Sequence, residues 1–201
     1  MKYKFFTTSE QAWQAMVIVL RGAKKSIYLE SYILGKDRLT EELFSVIKER
    51  AAEGVSVKIV IDQIGSFWES FFMRDSIAQN GIEILFFRRF FRNHRKVLIV
   101  DENIAFIGGA NIYGKHAKWL DLHIQLEKKF LVKKMLSSFS KVYSLAGGDD
   151  PNIKKYLTKK SDRVKKLYKA KVFLIEHWPF RRRSLLKNYY IKKINEAEKS
   201  V

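Results

Sequence analysis

Apolar residues recur along this chain with two spacings, and the alternation between them outlines a fold. Ala12, Met16, Val19 and Ala23 stand three or four apart behind Ser9, a residue suited to capping. They predict a helix to about Lys25. Residues 27–34 concentrate aromatic and branched side chains and read as a strand. Leu39, Leu43, Val46 and Ile47 restore a helical stripe over 39–52, which Gly54 ends. Val55, Val57, Ile59 and Ile61 alternate up to Asp62, as in a buried strand. A helix is expected next, to about Gln79, closed by Asn80-Gly81, and then a strand over 82–87. Two apolar runs, 95–101 and 104–107, are joined by the tight turn Asp101-Glu102-Asn103. Leu120, Leu122, Ile124 and Leu126 share one face of a strand over 119–127, and 130–145 is helical. Alternating helices and strands predict an α/β fold with helices packed on a sheet. The late hairpin-like strands make that sheet mixed, not purely parallel.

Gly147-Gly-Asp-Asp-Pro-Asn152 breaks the pattern and reads as a boundary. The expected organisation is a domain over 1–147, a basic linker over 148–171 and a further segment over 172–201. In that last segment, residues 172–175 read as a short strand and 185–199 as a helix. The final helix is similar to the first. With Ser200 laid over Ser26, Ala197-Glu-Lys-Ser-Val201 matches Ala23-Lys-Lys-Ser-Ile27, and Ile194 falls on Leu20. Residues 172–201 therefore read as the start of a second copy that stops where its first strand should begin. An ordinary amphipathic helix with chance identities is the alternative.

Composition narrows the partners. The 201 residues are 47% apolar, with 15 Phe and 9 Tyr, enough to build a core and to exclude wholesale disorder. Absence of Cys excludes disulfides and thiolate metal sites. Lys and Arg number 39 against 21 acids, a net charge of +18. Residues 151–201 alone hold 16 basic and 4 acidic side chains. Such a surplus favours anionic partners: phospholipid headgroups, nucleic acid or phosphorylated substrates. No stretch approaches the roughly 18–20 apolar residues of a membrane span, and the amino terminus has no secretory pattern. Membrane contact is therefore expected to be peripheral, from the cytoplasmic side.

One stretch carries chemistry: His94-Arg-Lys96-Val-Leu-Ile-Val-Asp101-Glu-Asn-Ile-Ala-Phe-Ile-Gly108-Gly109-Ala-Asn111. On extended backbone, His94 and Lys96 point to the same side. Gly108-Gly109 permits close backbone approach, and Asn111 can bring an amide donor into the same pocket. An imidazole, an ammonium and a carboxamide converging on one point make a phosphate site with a nucleophile in it.

This pattern resembles the phospholipase D superfamily: His-x-Lys, four residues, Asp, six residues, Gly-Gly, one residue, Asn. The stretch Trp119-Leu-Asp121-Leu-His123 is similar to the Trp-x-Asp-x-His of the bacterial cardiolipin synthase branch, and Gly108-Gly109 leans the same way. Residues 27–32 and 57–66 look like the family's first two strands. The resemblance covers about 5–145 and implies a phospholipase D-like α/β/α sandwich. The chain departs from the family in having Lys128 where a Gly follows the Glu of the Trp-x-Asp strand, and in lacking a second His-x-Lys motif.

In the family, two such motifs meet across a pseudo-twofold axis, without metal or cofactor. One His attacks phosphorus to form a phosphohistidine; the other serves as acid and base. The resemblance implies His94 as nucleophile or acid-base partner and Lys96 and Asn111 as phosphate ligands. Gly108 and Gly109 would lie beside the substrate, and Asp101 would fix the local turn and tune the site. Asp121 is the candidate to hold the second ring nitrogen of His94, although a strand carboxylate serves equally well as a cap or sheet-edge ion pair. Glu30 and Tyr32 line the pocket or pack in the core. Phe86-Phe-Arg-Arg-Phe-Phe-Arg92 precedes His94, so Arg88, Arg89, Phe90, Phe91 and Arg92 are the expected contacts to a membrane or another anion.

One motif supplies half a site, to be completed by a second copy in a homodimer or by a separate second half. The expected function is phosphatidyl transfer or phospholipase D-type hydrolysis at an anionic phospholipid surface, peripheral to the inner membrane face. The alternatives are a homodimeric phosphodiesterase or nuclease acting on nucleic acid, and an inactive truncated remnant.

Overall fold

The computed structural model describes residues 3–66, 81–157, 174, 176 and 185–200. The chain divides into two compact units, Met1–Lys159 and Lys160–Val201. The expected helix ending near Gln79 and the expected strand 172–175 lie outside the described residues, Leu174 apart.

The first unit is built on a seven-stranded mixed sheet. Its strands are β1 (Tyr3–Thr8), β2 (Ser26–Ser31), β3 (Ser56–Asp62), β4 (Glu83–Phe87), β5 (Val97–Val100), β6 (Ile104–Gly108) and β7 (Leu120–Leu126). The spatial order is β1-β7-β6-β5-β2-β3-β4. The β2, β3 and β4 strands run parallel, as the intervening crossovers demand. From β2 outward through β5, β6 and β7 to β1, every pairing is antiparallel.

Among the described residues, three helices cover the sheet. α1 (Ser9–Arg21) and α2 (Arg38–Ala52) bury Trp13, Leu20, Leu43 and Ile47 against Ile27, Leu29, Ile59, Leu98 and Phe106. α3 (Lys129–Leu145) takes the other face, where its Phe139 ring stacks on Tyr28 at 5.2 Å. Tyr28 alternates with Ile27 and Leu29 along β2, so the two helix layers lie on opposite sides of the sheet. The result is the expected α/β/α arrangement.

Local chemistry shifts several boundaries. Thr8, not Ser9, caps α1, accepting a bond from the Gln11 amide at 3.4 Å. The helix stops at Arg21, short of Lys25, because the amides of Lys24 and Lys25 are taken by the Asp101 carboxylate. β1 has no counterpart in the sequence reading, because its six residues carry apolar side chains on both faces. The turn between β5 and β6 places Asp101 (φ 51°) and Glu102 (φ 60°) in the left-handed region, as a tight hairpin requires.

The boundary expected at 147–152 is folded. Asp150 caps a short helix α4 (Pro151–Lys154), Ile153 is buried, and Ser140 Oγ donates to the Ile153 carbonyl at 2.9 Å. These residues pack with the first unit. In the second unit, α5 (Leu185–Asn195) is present.

Among the described residues, part of one sheet face carries exposed apolar side chains. Phe6 on β1 is buried under α1, whereas its neighbour Phe5 is 59% exposed on the opposite face. On β7, Leu120 is 88% and Leu122 54% exposed, whereas Leu126 on the same face is buried. The pattern located the face correctly, but α3 lies mainly over β4, β5 and β6, and these two leucines are left in water.

Candidate active site

The site forms where the chain enters β5. Asn93 is buried; its backbone amide donates to Asp62 Oδ2 at 2.6 Å and its side chain to Glu30 Oε2 at 3.2 Å. Asp62 ends β3 and also accepts from the amides of Ile64 and Gly65. This anchorage sets the following residue, His94, at the surface with its ring exposed. Two residues on, Lys96 is only 5% exposed. Its ammonium lies 3.1 Å from Nδ1 and 3.2 Å from Nε2 of His94, and donates to the His94 carbonyl at 2.9 Å. Tyr32 closes one side: its ring centroid stands 4.4 Å from that of His94 and 5.1 Å from the Lys96 nitrogen. Arg92 reaches the Tyr32 hydroxyl at 3.2 Å.

The electrostatics suit a nucleophile beside an anion site. Lys96 has no carboxylate ion-pair partner among the described residues. Burial pushes its pKa down to about 8, against the opposing pull of the Asp121 carboxylate. Removal of water, and then the Lys96 ammonium, lower the His94 pKa, while Asp62 opposes them. A neutral ring exposes a lone pair, and a cation lacking a counter-ion is completed by a phosphoryl oxygen.

The other expected site residues divide. Asp101 stands at the far end of β5, where its carboxylate accepts from the backbone amides of Lys24, Lys25 and Ser26 at 2.7–3.1 Å. It ties the turn to the start of β2 and is not part of the His94–Lys96 cluster. Glu30 is fully buried and meets Asn93 and, at 3.5 Å, Arg95. Arg95 also bonds Ser138 of α3. Arg95 alternates with His94 and Lys96, so Glu30 belongs to the α3 side of the sheet and does not line the pocket.

Gly108 and Gly109 lie against β7 rather than against open space. A methyl group on Gly108 would collide with the His123 ring, and one on Gly109 with the Asp121 carboxylate. The two glycines and the Trp-x-Asp-x-His strand are thus one packed unit. Asp121 accepts from the Leu122 amide at 2.8 Å and makes no hydrogen bond to His94. Its influence on the cluster is through space, on Lys96. Asn111 is buried in the segment that leaves β6 and crosses to β2, where Ile112 bridges Leu34. Its Oδ1 has no hydrogen-bond partner among the described residues.

The Arg88–Arg92 loop is only partly free. Arg89 donates to the Leu145 carbonyl at 2.9 and 3.1 Å and so caps α3. Phe91 packs on Phe87 at 5.5 Å, and Arg92 is engaged by Tyr32. Phe90 remains fully exposed, beside the exposed Arg88. The supports that the sequence reading missed are Asp62 and Asn93. Their only signal is position: a carboxylate at a strand end and a polar residue directly before the histidine.

Fold and motif together define a phospholipase D-like domain. Residues 16–143 match the family model described as "Cardiolipin synthase, PLD-like domain", and the chain belongs to that family. Among curated relatives, it is 29% identical to a cardiolipin synthase of Clostridium perfringens over 94% of this chain and 43% of that protein. It is 34% identical to cardiolipin synthase A of Pseudomonas syringae over 62% of this chain and 30% of that one. The chain therefore spans less than half the length of the curated relatives it matches. Among solved structures, it is similar in fold to Nuc of Salmonella typhimurium, a phospholipase D family member, with TM-score 0.62 and 21% identity over 72% of this chain and 96% of that one. It is likewise similar to phosphatidylserine synthase of Haemophilus influenzae, with TM-score 0.58 and 17% identity over 77% and 43%.

Proposed function

We propose that this chain carries one half of a phosphodiester-transfer site that acts on phospholipid in the manner of a cardiolipin synthase. The observation that carries the reading is an exposed imidazole held against a buried ammonium that has no acidic ion-pair partner among the described residues. A phosphodiester anion resists nucleophiles, so its charge must be held by fixed donors before attack. Lys96 and the amide of Asn111 supply them. A ring nitrogen of His94 bonds to phosphorus while the bond to the leaving alcohol oxygen breaks; a second histidine gives that oxygen its proton. The incoming alcohol then surrenders its proton to the same histidine, attacks phosphorus and releases His94.

The second histidine comes from a second half: another copy of the chain or a separate phospholipase D-type repeat. The uncovered face bearing Phe5, Leu120 and Leu122 supports docking of such a partner, because exposed apolar sheet surface of this kind is costly to leave in water. The basic surplus supports an anionic bilayer as the substrate surface. The proposed contact is peripheral, at the inner face; among the described residues no helix is long and apolar enough to cross a membrane.

The test is product analysis with radiolabelled phosphatidylglycerol beside single-stranded DNA, with acid-quenched trapping of phosphohistidine. Lipid turnover that His94→Ala abolishes supports the proposal. Cleavage of DNA alone would establish the nuclease reading. No turnover of either, with or without an added second half, would leave an inactive remnant.

A further inference from the structure

His123 has no part in the mechanism above, yet it is 1% exposed and its surroundings are specific. It sits on β7 directly opposite Gly108, the last paired residue of β6. One residue later, the Gly109 amide still bonds across to the Leu122 carbonyl at 3.3 Å. There the backbone ladder ends, because the chain turns away to cross towards β2. The next amide, on buried Ala110, would be left without a carbonyl, a loss costing about 1–3 kcal/mol. Instead it donates to His123 Nδ1 at 3.4 Å. The ring reaches that position because residue 108 is glycine; any side chain there would collide with it. With Nδ1 accepting, the proton of the neutral ring sits on Nε2, which is buried without a partner among the described residues.

We propose that His123 is a positioning residue: its imidazole replaces the missing strand partner of Ala110 and thereby aims the carboxamide of the adjacent Asn111 at the phosphate. This rests on the reading of Lys96 and Asn111 as phosphate ligands. The required chemistry is an acceptor at the Nδ1 position and a plane thin enough to lie on Gly108. Burial keeps the ring uncharged, with a pKa near 4, so the acceptor is present throughout the neutral range. Asparagine can offer its Oδ1 near the place of Nδ1, whereas leucine fills the space and offers nothing.

The experiment uses the full chain and inorganic phosphate as the probe. Binding is measured by calorimetry for wild type, Asn111→Ala, His123→Asn, His123→Leu and the Asn111→Ala/His123→Leu double variant. Hydrogen exchange of the Ala110 amide is followed in parallel by NMR. His123→Leu is expected to weaken phosphate binding about as much as Asn111→Ala, roughly tenfold, and to deprotect the Ala110 amide. His123→Asn should restore most of both. The double variant should bind no worse than either single one, because both act through the same carboxamide. A folded His123→Leu protein that binds like wild type, or losses that multiply in the double variant, would overturn the assignment. If the wild type binds no phosphate, the ligand reading of Lys96 and Asn111 fails instead. The Ala110 amide then still reports on the clamp: protection unchanged in His123→Leu would refute it separately.

Discussion

The two ends of β5, a strand of four residues, obey different rules. At its entry, His94 and Lys96 are two basic groups in contact, the ammonium buried with no acid paired to it among the described residues. At its exit, Asp101 is saturated by three backbone amides. The entry is electrostatically incomplete and waits for an anion; the exit is complete and needs nothing. Both ends belong to one sequence motif, but only the unsatisfied one has chemistry to offer. A polar cluster that has already found its partners serves the fold.

The sharpest way to break that comparison is substitution at each end. His94→Ala should reduce phosphodiester transfer by about 10³-fold or more without moving the melting temperature, since removing a nucleophile from such a site leaves little catalysis. Asp101→Ala should do the reverse. It strands three amides and should cost about 2–4 kcal/mol in denaturant unfolding, while transfer per folded molecule stays within a few-fold of wild type. Activity lost per folded Asp101→Ala molecule as severely as for His94→Ala would erase the distinction.

Proton linkage offers a subtler comparison. His123 is held near pKa 4 by burial, below its ordinary 6.5, so the unfolded chain binds the extra proton first. Stability should be whole above pH 6.5 and decline as pH falls towards 4, by ~3 kcal/mol in total. Urea midpoints across that range for wild type and His123→Asn should diverge only on the acid side. Lys96 predicts a smaller effect at the other extreme. It loses its proton near pH 8 in the folded protein, so phosphate binding should weaken as pH rises through that value. In Lys96→Arg, whose side chain stays charged, whatever binding survives should not fall there.

The uncovered face yields the smallest expected change. Leu122→Glu should leave monomer stability within ~0.5 kcal/mol, because the side chain already faces water, but should abolish any concentration-dependent association seen by light scattering. Unaltered association would mean that a partner docks elsewhere.

Much of this was legible in the residues themselves. Hydrophobic spacing located six of the seven strands and helices α1, α2, α3 and α5, because period and turn chemistry are local properties. The spacing from His94 to Asn111 announced the family, because a strand-turn-strand unit has a rigid length. What spacing does not carry is direction across the sheet. Glu30 read as either a pocket or a core residue, and only the fold sets it, buried, on the face of Arg95 and α3. Leu120 and Leu122 read as sharing a face with Ile124 and Leu126, yet they stand in water while Leu126 is buried. Arg89 read as an anion contact, yet it closes the end of α3. Each outcome depends on a neighbour distant in the chain.

The sequence by itself determined most of the elements, the α/β order and the histidine-lysine pair, since these follow from side chains within a few residues of one another. Only the tertiary structure decided which polar groups were already satisfied. That depends on what the sheet order sets beside each one: the Lys24–Ser26 amides beside Asp101, Asp62 and Asn93 beneath His94, and His123 against Gly108. Burial makes those choices strict, because a polar group removed from water must find its partner among whatever the fold has brought near.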